Sequence, residues 1–332
     1  MSEKLLEVNK LSTHFYTERG KLQALREMDF HVDKGEILAL VGESGSGKSV
    51  TVQSILRLFD EKQLVEYSGE VEFKNRDLLK LSTSEMEKIR GNEISMIFQD
   101  PLSSLDPVYT VGHQISQVLR IHKKMSKKIA LEKSVDFLKL TGIPSPEKRV
   151  NEYPHELSGG MRQRVMIAMA LACEPELLIA DEPTTALDVT IQAQILDLII
   201  NLNKKIGMGI ILVTHDLGVV AEVCSRVIVM YLGQVVEEAD VNSLFDHPLH
   251  PYTKGLIKSI PQLDGDRGKE LHVIEGTVPS LDKVPSGCSF STRCEFADAK
   301  CHAENPALES YGVNQKVRCW HFKEILESEV IY

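Results

Sequence analysis

The sequence predicts an α/β fold organised around a phosphate-binding loop, and three observations support this prediction. The first is a glycine-rich stretch between an apolar strand pattern at 37–41 and a helix pattern at 50–56. The second is a pair of later apolar runs, 177–180 and 210–214, that end in polar residues, as buried parallel strands do. The third is a block with helical, amphipathic periodicity from 111 to 142, which predicts an inserted helical subdomain.

Composition limits the class of protein. A chain of 332 residues can bury a large core, and two domains are expected. The net charge of −10 and the lack of a basic stripe argue against nucleic acid as a partner. No signal-peptide pattern is visible, and the longest apolar run, 165–173, is about half a membrane span. We therefore expect a location in the cytosol or, as a peripheral protein, on the cytoplasmic face of the cell membrane.

The phosphate-binding loop reads Gly42-Glu43-Ser44-Gly45-Ser46-Gly47-Lys48-Ser49. Its glycines let successive backbone N–H groups turn into one concavity, and the helix that follows adds partial positive charge there. Lys48 can reach the β- and γ-phosphates of a nucleotide, and the Ser49 hydroxyl can ligate Mg²⁺. The four fixed positions would arise by chance in about one chain in a hundred of this length. We interpret the loop as a nucleotide-binding site.

Two features near the loop are ambiguous on their own. Phe15 and Tyr16 precede it, and an aromatic ring there could stack on adenine, although such a ring is more often part of a core. Gln99 ends the apolar run 94–98 and can reach a metal or a water molecule, although such a residue is usually a plain loop residue.

Further candidates lie in the second half of the chain. Ser158, Gly159 and Gly160 precede an apolar helix and can form a second anion site, although a glycine pair is usually only a turn. Asp181 and Glu182 end a strand. There, Asp181 can hold Mg²⁺ through water and Glu182 can orient or deprotonate the attacking water.

His215 follows the strand pattern 210–214, at the end where ligands lie in open α/β sheets. A lone histidine at such a place is more often structural.

The order of these motifs resembles the nucleotide-binding subunit of ATP-binding cassette (ABC) transporters, a P-loop ATPase fold, over residues 1 to about 240. Leu157-Ser158-Gly159-Gly160 resembles the signature loop of that superfamily, and Leu187-Asp188 is part of the same order of motifs. One departure is Met161, where the general signature has glutamine. The resemblance implies a nucleotide-binding domain over 1–240 with a helical subdomain at about 100–165, and an extension over 241–332.

The resemblance also implies a role for each candidate. Phe15 would stack on adenine, with Tyr16 as a substitute; Gln99 would contact Mg²⁺ and water, Glu182 would be the general base, and His215 would contact the γ-phosphate. Ser158, Gly159 and Gly160 would face the ATP held by the other subunit of a head-to-tail dimer. Contacts to ATP and Mg²⁺ would come from Gly42, Ser44, Gly45, Ser46, Gly47, Lys48, Ser49, Val50 and Asp181.

Three stretches, 99–107, 182–194 and 247–253, look like the peptide-import branch of this superfamily. Thr184-Thr185 and Val50 look like its D-type ATPase, found in oligopeptide, dipeptide and nickel systems. The branch implies a partner ATPase (an F-type paralogue or a second copy), two membrane permeases and an extracytoplasmic substrate-binding protein. It favours peptide import, with nickel import as the alternative. A soluble ABC ATPase acting on DNA or ribosomes is more remote, because the chain has one cassette and no long heptad run.

Four of the six cysteines fall in the last fifty residues: Cys288, Cys294, Cys301 and Cys319. Four thiolates in a loop-rich tail can hold zinc or an iron–sulfur cluster, but their spacing matches neither the common zinc pattern nor a standard ferredoxin. They could also be incidental thiols. The resemblance favours a [4Fe-4S] cluster, with Zn²⁺ as the alternative, because members of the branch bind a cluster at a similar cysteine pattern.

Overall fold

The computed structural model describes residues 3–18, 20–61, 64–100, 104–184, 189–260 and 273–329. The strands are β1 (Lys4–Thr17), β2 (Gly20–Asp33), β3 (Ile37–Val41), β4 (Val65–Phe73), β5 (Arg76–Asp77), β6 (Ile94–Ile97), β7 (Leu177–Asp181), β8 (Gly209–Val213), β9 (Arg226–Tyr231), β10 (Gln234–Asp240), β11 (Glu309–Tyr311) and β12 (Gln315–Val317).

The helices follow the same chain order. They are α1 (Lys48–Ile55), α2 (Thr83–Ile89), α3 (Val111–Lys123), α4 (Lys127–Leu140), α5 (Pro146–Arg149), α6 (Gly159–Leu171), α7 (Val189–Ile206), α8 (Leu217–Val223), α9 (Val241–Asp246), α10 (Pro251–Lys258), α11 (Ala299–Ala303) and α12 (Phe322–Glu329). A short 3₁₀ turn, Pro154–Glu156, precedes α6. The described segments contain no helix with both the length and the apolar character needed to cross a membrane.

The chain divides into two compact units. The first unit comprises 1–5, 32–36 and 80–212, and the second comprises 6–31, 37–79 and 213–332.

In the first unit, β6 and β7 pair in parallel, with Ile94 opposite Leu177 and Ile97 opposite Ala180. Every residue of β7 is buried, which explains its uninterrupted apolar run. Around α3, α4 and α6 the apolar positions form one buried cluster that includes Val111, Ile115, Leu119, Ala130, Leu138, Val165 and Ala168. The helical periodicity of the sequence therefore builds a core of its own in this region.

In the second unit, β3 pairs in parallel with β9, and β9, β10, β12 and β11 continue as antiparallel neighbours. A separate antiparallel sheet has the order β2-β1-β4-β5. Strand β3 leads directly into the loop that precedes α1, so the phosphate-binding loop leaves the carboxyl end of a buried parallel strand.

The core of the second unit includes part of the C-terminal extension. The rings of Tyr231, Tyr252 and Phe290 meet with centroids 4.8 to 5.4 Å apart. Tyr231 ends β9, Tyr252 lies in α10, and Phe290 lies between the first two cysteines of the tail. This aromatic cluster anchors the extension to the sheet that carries the phosphate-binding loop.

A buried carboxylate also joins the extension to the sheet. Glu237 of β10 is fully buried, and it accepts hydrogen bonds from the backbone N–H groups of Leu249 and His250, each at 2.8 Å. Burial raises the pKa of Glu237 to about 7. Burial lowers the pKa of the neighbouring His250 to about 3, so this imidazole stays neutral in the fold.

Candidate functional site

The phosphate-binding loop needs glycine at two positions for steric reasons. Gly42 has φ 150°, and a Cβ there would lie 2.4 Å from the carbonyl oxygen of Met230. Gly47 has φ 104° and caps α1, and its Cβ would lie 3.2 Å from the side chain of Leu25. A side chain at either position would clash or strain the backbone, so the loop shape depends on these glycines.

Within the loop, polar groups are arranged as a phosphate would require. Lys48 is 6% exposed, and its Nζ donates to the carbonyl oxygens of Gly42 at 2.7 Å and Glu43 at 3.2 Å. The Ser46 hydroxyl is buried, with no hydrogen-bond partner among the described residues. A cation folded back onto the loop and an unsatisfied hydroxyl fit an anionic ligand.

Glu43 ties this loop to the C-terminal extension, a link that the sequence does not predict. The guanidinium of Arg293 donates to both carboxylate oxygens of Glu43, at 2.6 and 3.1 Å. The backbone N–H of Glu43 donates to the Tyr252 hydroxyl at 2.7 Å. Because Arg293 lies 250 residues from Glu43, local sequence carries no signal of this contact.

The two aromatic candidates differ in environment. Phe15 is half-buried and packs edge to face against Phe59, with centroids 4.9 Å apart. Tyr16 is 48% exposed and its hydroxyl donates to Glu66, while Lys21 lies over the ring at 5.6 Å. Both rings lie near the end of β1 in the second unit.

His215 is exposed and follows β8; the preceding Thr214 is buried and the following Asp216 is exposed. The Asp216 carboxylate caps α8 by accepting from the N–H groups of Gly218 and Val219. This cap fixes the chain direction just after His215.

In the first unit, the structure brings Gln99 and Glu182 together. Gln99 Nε2 donates to Glu182 Oε2 at 3.0 Å. Glu182 has φ 47°, a left-handed conformation that is strained for a non-glycine residue and that recurs at functional sites. The preceding Asp181 ends β7 and is 3% exposed. A buried strand thus places two carboxylates in sequence, and the second is held by an amide.

Ser158 caps helix α6, because its hydroxyl accepts from the N–H of Met161 at 3.3 Å. Ser158 and Gly159 are exposed, and a Cβ on Gly159 would meet nothing within 4 Å. The Met161 side chain packs against the helical cluster of the first unit. The unusual residue of the signature loop therefore contributes to packing.

Gln163 is a site neighbour that sequence reasoning missed. It is buried on α6, and its side-chain amide donates to the carbonyl oxygen of Pro183, directly after Glu182. The position of Gln163, four residues after Gly159, does not indicate this contact in the sequence. The contact links helix α6 to the carboxylates at the end of β7. Leu187-Asp188, Thr185 and residues 101–103, which belong to the predicted motifs, lie outside the described residues.

The four tail cysteines line one cavity, together with aromatic and histidine side chains. The backbone N–H of Cys288 donates to the carbonyl oxygen of Cys301 at 2.8 Å, and Asp298 caps α11 by accepting from the N–H of Cys301. All four are free thiols, and burial raises their pKa values, to about 11 for Cys294 and about 12 for Cys319. The structure therefore brings together the four cysteines that the sequence singled out.

The spread of the sulfurs is informative. Among the described residues, the group of His, Cys, Asp and Glu ligand atoms that lie within 4.8 Å of one another is Asp298, Cys301 and His321. No three of the four tail sulfurs meet that limit within the part of the chain that is described.

Comparison with known proteins identifies the family. Residues 25–185 match the family described as ABC transporter, and residues 236–301 match the oligopeptide/dipeptide transporter C-terminal region. The chain is 54% identical over 322 residues to the probable peptide ABC transporter ATP-binding protein y4tR of Sinorhizobium fredii (strain NBRC 101917 / NGR234), covering 97% of this chain and 96% of the relative. The chain belongs to the oligopeptide/dipeptide family of ABC transporter ATP-binding proteins.

Other members of this family are similar over their whole length. The oligopeptide transport ATP-binding protein AppD of Bacillus subtilis (strain 168) is 52% identical, covering 96% of this chain and 97% of AppD. The dipeptide transport ATP-binding protein DppD of the same organism is 51% identical, covering 96% and 95%. The resemblance predicted from the order of motifs is confirmed.

A solved structure supports the fold. The dimeric ATP-binding cassette MJ0796, in a post-hydrolysis state bound to ADP and Pi, aligns with a TM-score of 0.64 and 29% identity, covering 71% of this chain and 98% of MJ0796. The predicted α/β ABC ATPase fold is confirmed, and the family assignment makes this chain an ABC-type ATPase.

Proposed function

We propose that this chain is the ATP-hydrolysing subunit of a membrane importer that takes up di- or oligopeptides. The observation that carries the proposal is identity above 50% over nearly the full length to relatives named as peptide, oligopeptide and dipeptide transport ATP-binding proteins. The match extends through the C-terminal region that is described for oligopeptide/dipeptide transporters. This region is not part of the general ABC transporter family match, which covers residues 25–185.

ATP is the substrate, and its phosphates bind the loop 42–49. The concave backbone and the buried Ser46 hydroxyl receive the phosphate oxygens, and Lys48 turns from the carbonyl of Gly42 to the β- and γ-phosphates. Ser49 and Asp181 would hold Mg²⁺, which neutralises charge on the transferred phosphoryl group when bound. Val50, Ser44, Gly45 and Gly47 complete this phosphate-binding region, and Phe15 or Tyr16 stacks on adenine.

Three polar side chains act in the hydrolysis of ATP. Glu182 accepts a proton from the attacking water, and Gln99, its observed hydrogen-bond donor, orients both the carboxylate and the water. His215 contacts the γ-phosphate. The exposed residues Ser158 and Gly159, with Gly160, contact the nucleotide of the partner ATPase in a head-to-tail dimer.

The assembly that follows is a dimer of ATPases at the cytoplasmic face of the cell membrane. The partner is an F-type paralogue or a second copy of this chain. The two ATPases act on two membrane permeases, to which an extracytoplasmic binding protein delivers the peptide. Support comes from the dimeric state of the MJ0796 cassette and from the peptide-transport names of the relatives.

The nucleotide proposal is tested with Lys48→Ala. Loss of the ammonium removes the main positive charge of the loop, so we expect MgATP binding by titration calorimetry to weaken at least about a hundredfold. Lys34→Ala, on an exposed turn, is the control and should bind as wild type. Equal affinity of Lys48→Ala and wild type would refute the assignment of the loop.

We also propose that the tail binds a [4Fe-4S] cluster through Cys288, Cys294, Cys301 and Cys319. The fit rests on their shared cavity and on the spread of their sulfurs. Zinc bound by four thiolates at about 2.3 Å needs sulfurs about 3.8 Å apart, whereas no three of the four described tail sulfurs lie within 4.8 Å of one another. A cluster distributes its ligands over four irons and suits wider spacing. When bound, it would crosslink a tail of short elements.

The cluster is tested by metal and acid-labile sulfide analysis of protein purified without oxygen. We expect about four irons and four sulfides per chain, with loss in Cys294→Ser but not in Cys173→Ser, the buried cysteine on α6's C-terminal side. Zinc in place of iron, or no metal, would overturn the cluster while leaving the ATPase proposal intact.

A further inference from the structure

The contact between Glu43 and Arg293 joins the phosphate-binding loop to the four-cysteine tail. Glu43 is the second residue of the phosphate-binding loop, and Arg293 directly precedes Cys294 of the four-cysteine tail. The pair is bidentate, and the Arg293 side chain is only 3% exposed. Bidentate guanidinium–carboxylate pairs fix geometry as well as charge.

Arg293 is itself held firmly by the second unit. Its guanidinium also donates to the backbone carbonyls of Ile274 and Glu275, at 3.1 and 2.9 Å, and lies over the rings of Tyr231 and Phe290. An arginine with this many partners has little rotamer freedom left to lose when it binds. Because Arg293 is buried and held by several partners in the tail region, it fixes the position of the Glu43 carboxylate.

Glu43 is engaged at each of its polar groups. Its N–H donates to Tyr252 of the extension, its carbonyl accepts from Lys48, and its carboxylate pairs with Arg293. Lys48 is the residue that must meet the phosphates. A shift of the tail is thus transmitted to this lysine through one intervening residue.

The pair also sets the charge at the loop. An uncompensated carboxylate beside the phosphate site would repel ATP, and the buried guanidinium neutralises it. Loss of the pair therefore both frees the loop and exposes ATP to a negative charge.

We propose that Arg293 is a positioning residue through which the four-cysteine tail controls the affinity of the phosphate-binding loop for MgATP. In this arrangement an ordered tail holds Glu43 neutralised and the loop preformed, and a disordered tail releases both. The inference rests on the proposed binding of nucleotide at residues 42–49.

The test is a double-mutant cycle on the full chain, read by calorimetric titration with MgATP. We expect Arg293→Met to weaken binding about tenfold, because the carboxylate of Glu43 is left unpaired. Glu43→Gln in the Arg293→Met background should recover most of that loss, since it removes the unpaired charge. Circular dichroism establishes that each variant is folded.

Arg226→Met is the matched control. Arg226 also forms an ion pair, with the buried Glu238, and its side chain is 15% exposed. It lies at the start of β9, the far end from Tyr231 and the loop. Its loss should change MgATP affinity less than about twofold, although it lowers stability.

A second readout separates positioning from simple destabilisation. Coupling free energies are reciprocal, so MgATP should slow amide hydrogen exchange in residues 287–303 of wild type and should not do so in Arg293→Met. Cys294→Ser should weaken MgATP binding in the wild-type background and add little in Arg293→Met.

The outcomes are distinct. Wild-type affinity in Arg293→Met, additive effects of the Arg293 and Glu43 changes, or unchanged exchange in 287–303 on adding MgATP would each overturn the inference. Failure of wild type to bind MgATP would overturn the proposed function instead.

Discussion

Glu182 combines a strained backbone with a fixed carboxylate. Its left-handed φ of 47° and its hydrogen bond from Gln99 hold the side chain in one place after the buried end of β7. Residues kept in such conformations persist where the surrounding structure enforces them, and active sites are a frequent case. The sequence predicts the two carboxylates and Gln99 as candidates. It does not predict the strain or the contact, because Gln99 and Glu182 are 83 residues apart.

Glu182→Gln should abolish hydrolysis and spare binding. The amide keeps the size of the side chain and a hydrogen-bonding group but cannot accept the proton, so we expect phosphate release to fall by about 10²- to 10⁴-fold. MgATP affinity should stay within about threefold. Glu174→Gln is the control, because Glu174 is an exposed glutamate with a similar φ of 51°. Normal phosphate release by Glu182→Gln would remove Glu182 as the base.

Glu237 predicts an unusual pH dependence of stability. Burial raises its pKa from 4.5 to about 7, so the folded state holds a proton that the unfolded chain releases above about 4.5. The resulting stability is full below pH 4.5 and is lost as pH rises through 7. His250 acts oppositely: with its pKa lowered to about 3, it destabilises the fold as pH falls below its ordinary 6.5.

Glu237→Gln isolates this effect. Between pH 8 and pH 5, the free energy of unfolding of wild type should rise by roughly 2 to 3 kcal/mol relative to the variant. The variant should lose stability on acidification, because the destabilising effect of neutral His250 is then no longer offset by protonation of Glu237. Urea denaturation at the two pH values measures the difference. Parallel pH profiles for the two proteins would show that Glu237 is ionised in the fold.

At the scale of elements, the sequence pattern predicts the helical region between 111 and 142 but not the boundary between its two helices. The amphipathic periodicity from 111 to 142 predicts helix, and the structure has two helices there, α3 and α4. The break comes at Lys124, with φ 56°, followed by Ser126, whose hydroxyl accepts from the N–H of Ile129. Apolar spacing indicates which face is buried, but a left-handed lysine carries no comparable signal, so the break is missed.

The link between α6 and the strand-end carboxylates gives a prediction for one element. Gln163→Leu leaves the carbonyl of Pro183 buried without its donor, which should cost about 1 to 3 kcal/mol of stability. Phosphate release should also fall, because Glu182 lies one residue before Pro183, while MgATP affinity stays near wild type. Gln117→Leu, exposed on α3, is the control for adding an apolar side chain. Stability and turnover both equal to wild type would show that the contact has no role.

At the scale of the whole molecule, the C-terminal extension packs into the unit that carries the phosphate-binding loop. Its aromatic residues complete the core of the second unit, and its Arg293 fixes the phosphate-binding loop. The sequence predicts the four cysteines as one site because they crowd the last fifty residues. It cannot predict the pairing with the loop, since long-range ion pairs depend on how the chain folds back. The division of the chain at residue 240 and the subdomain at about 100–165 stay predictions.

Peptide uptake into membrane vesicles that contain the complete transporter tests the central claim most directly. The vesicles contain MgATP inside, and the binding protein and a labelled oligopeptide are added outside. The transporter is assembled with this chain either as wild type or as Glu182→Gln. We predict uptake with wild type and a fall to the ATP-free background with Glu182→Gln, while Glu174→Gln transports normally. Uptake at the wild-type rate with Glu182→Gln would contradict the claim that hydrolysis by this chain powers peptide import.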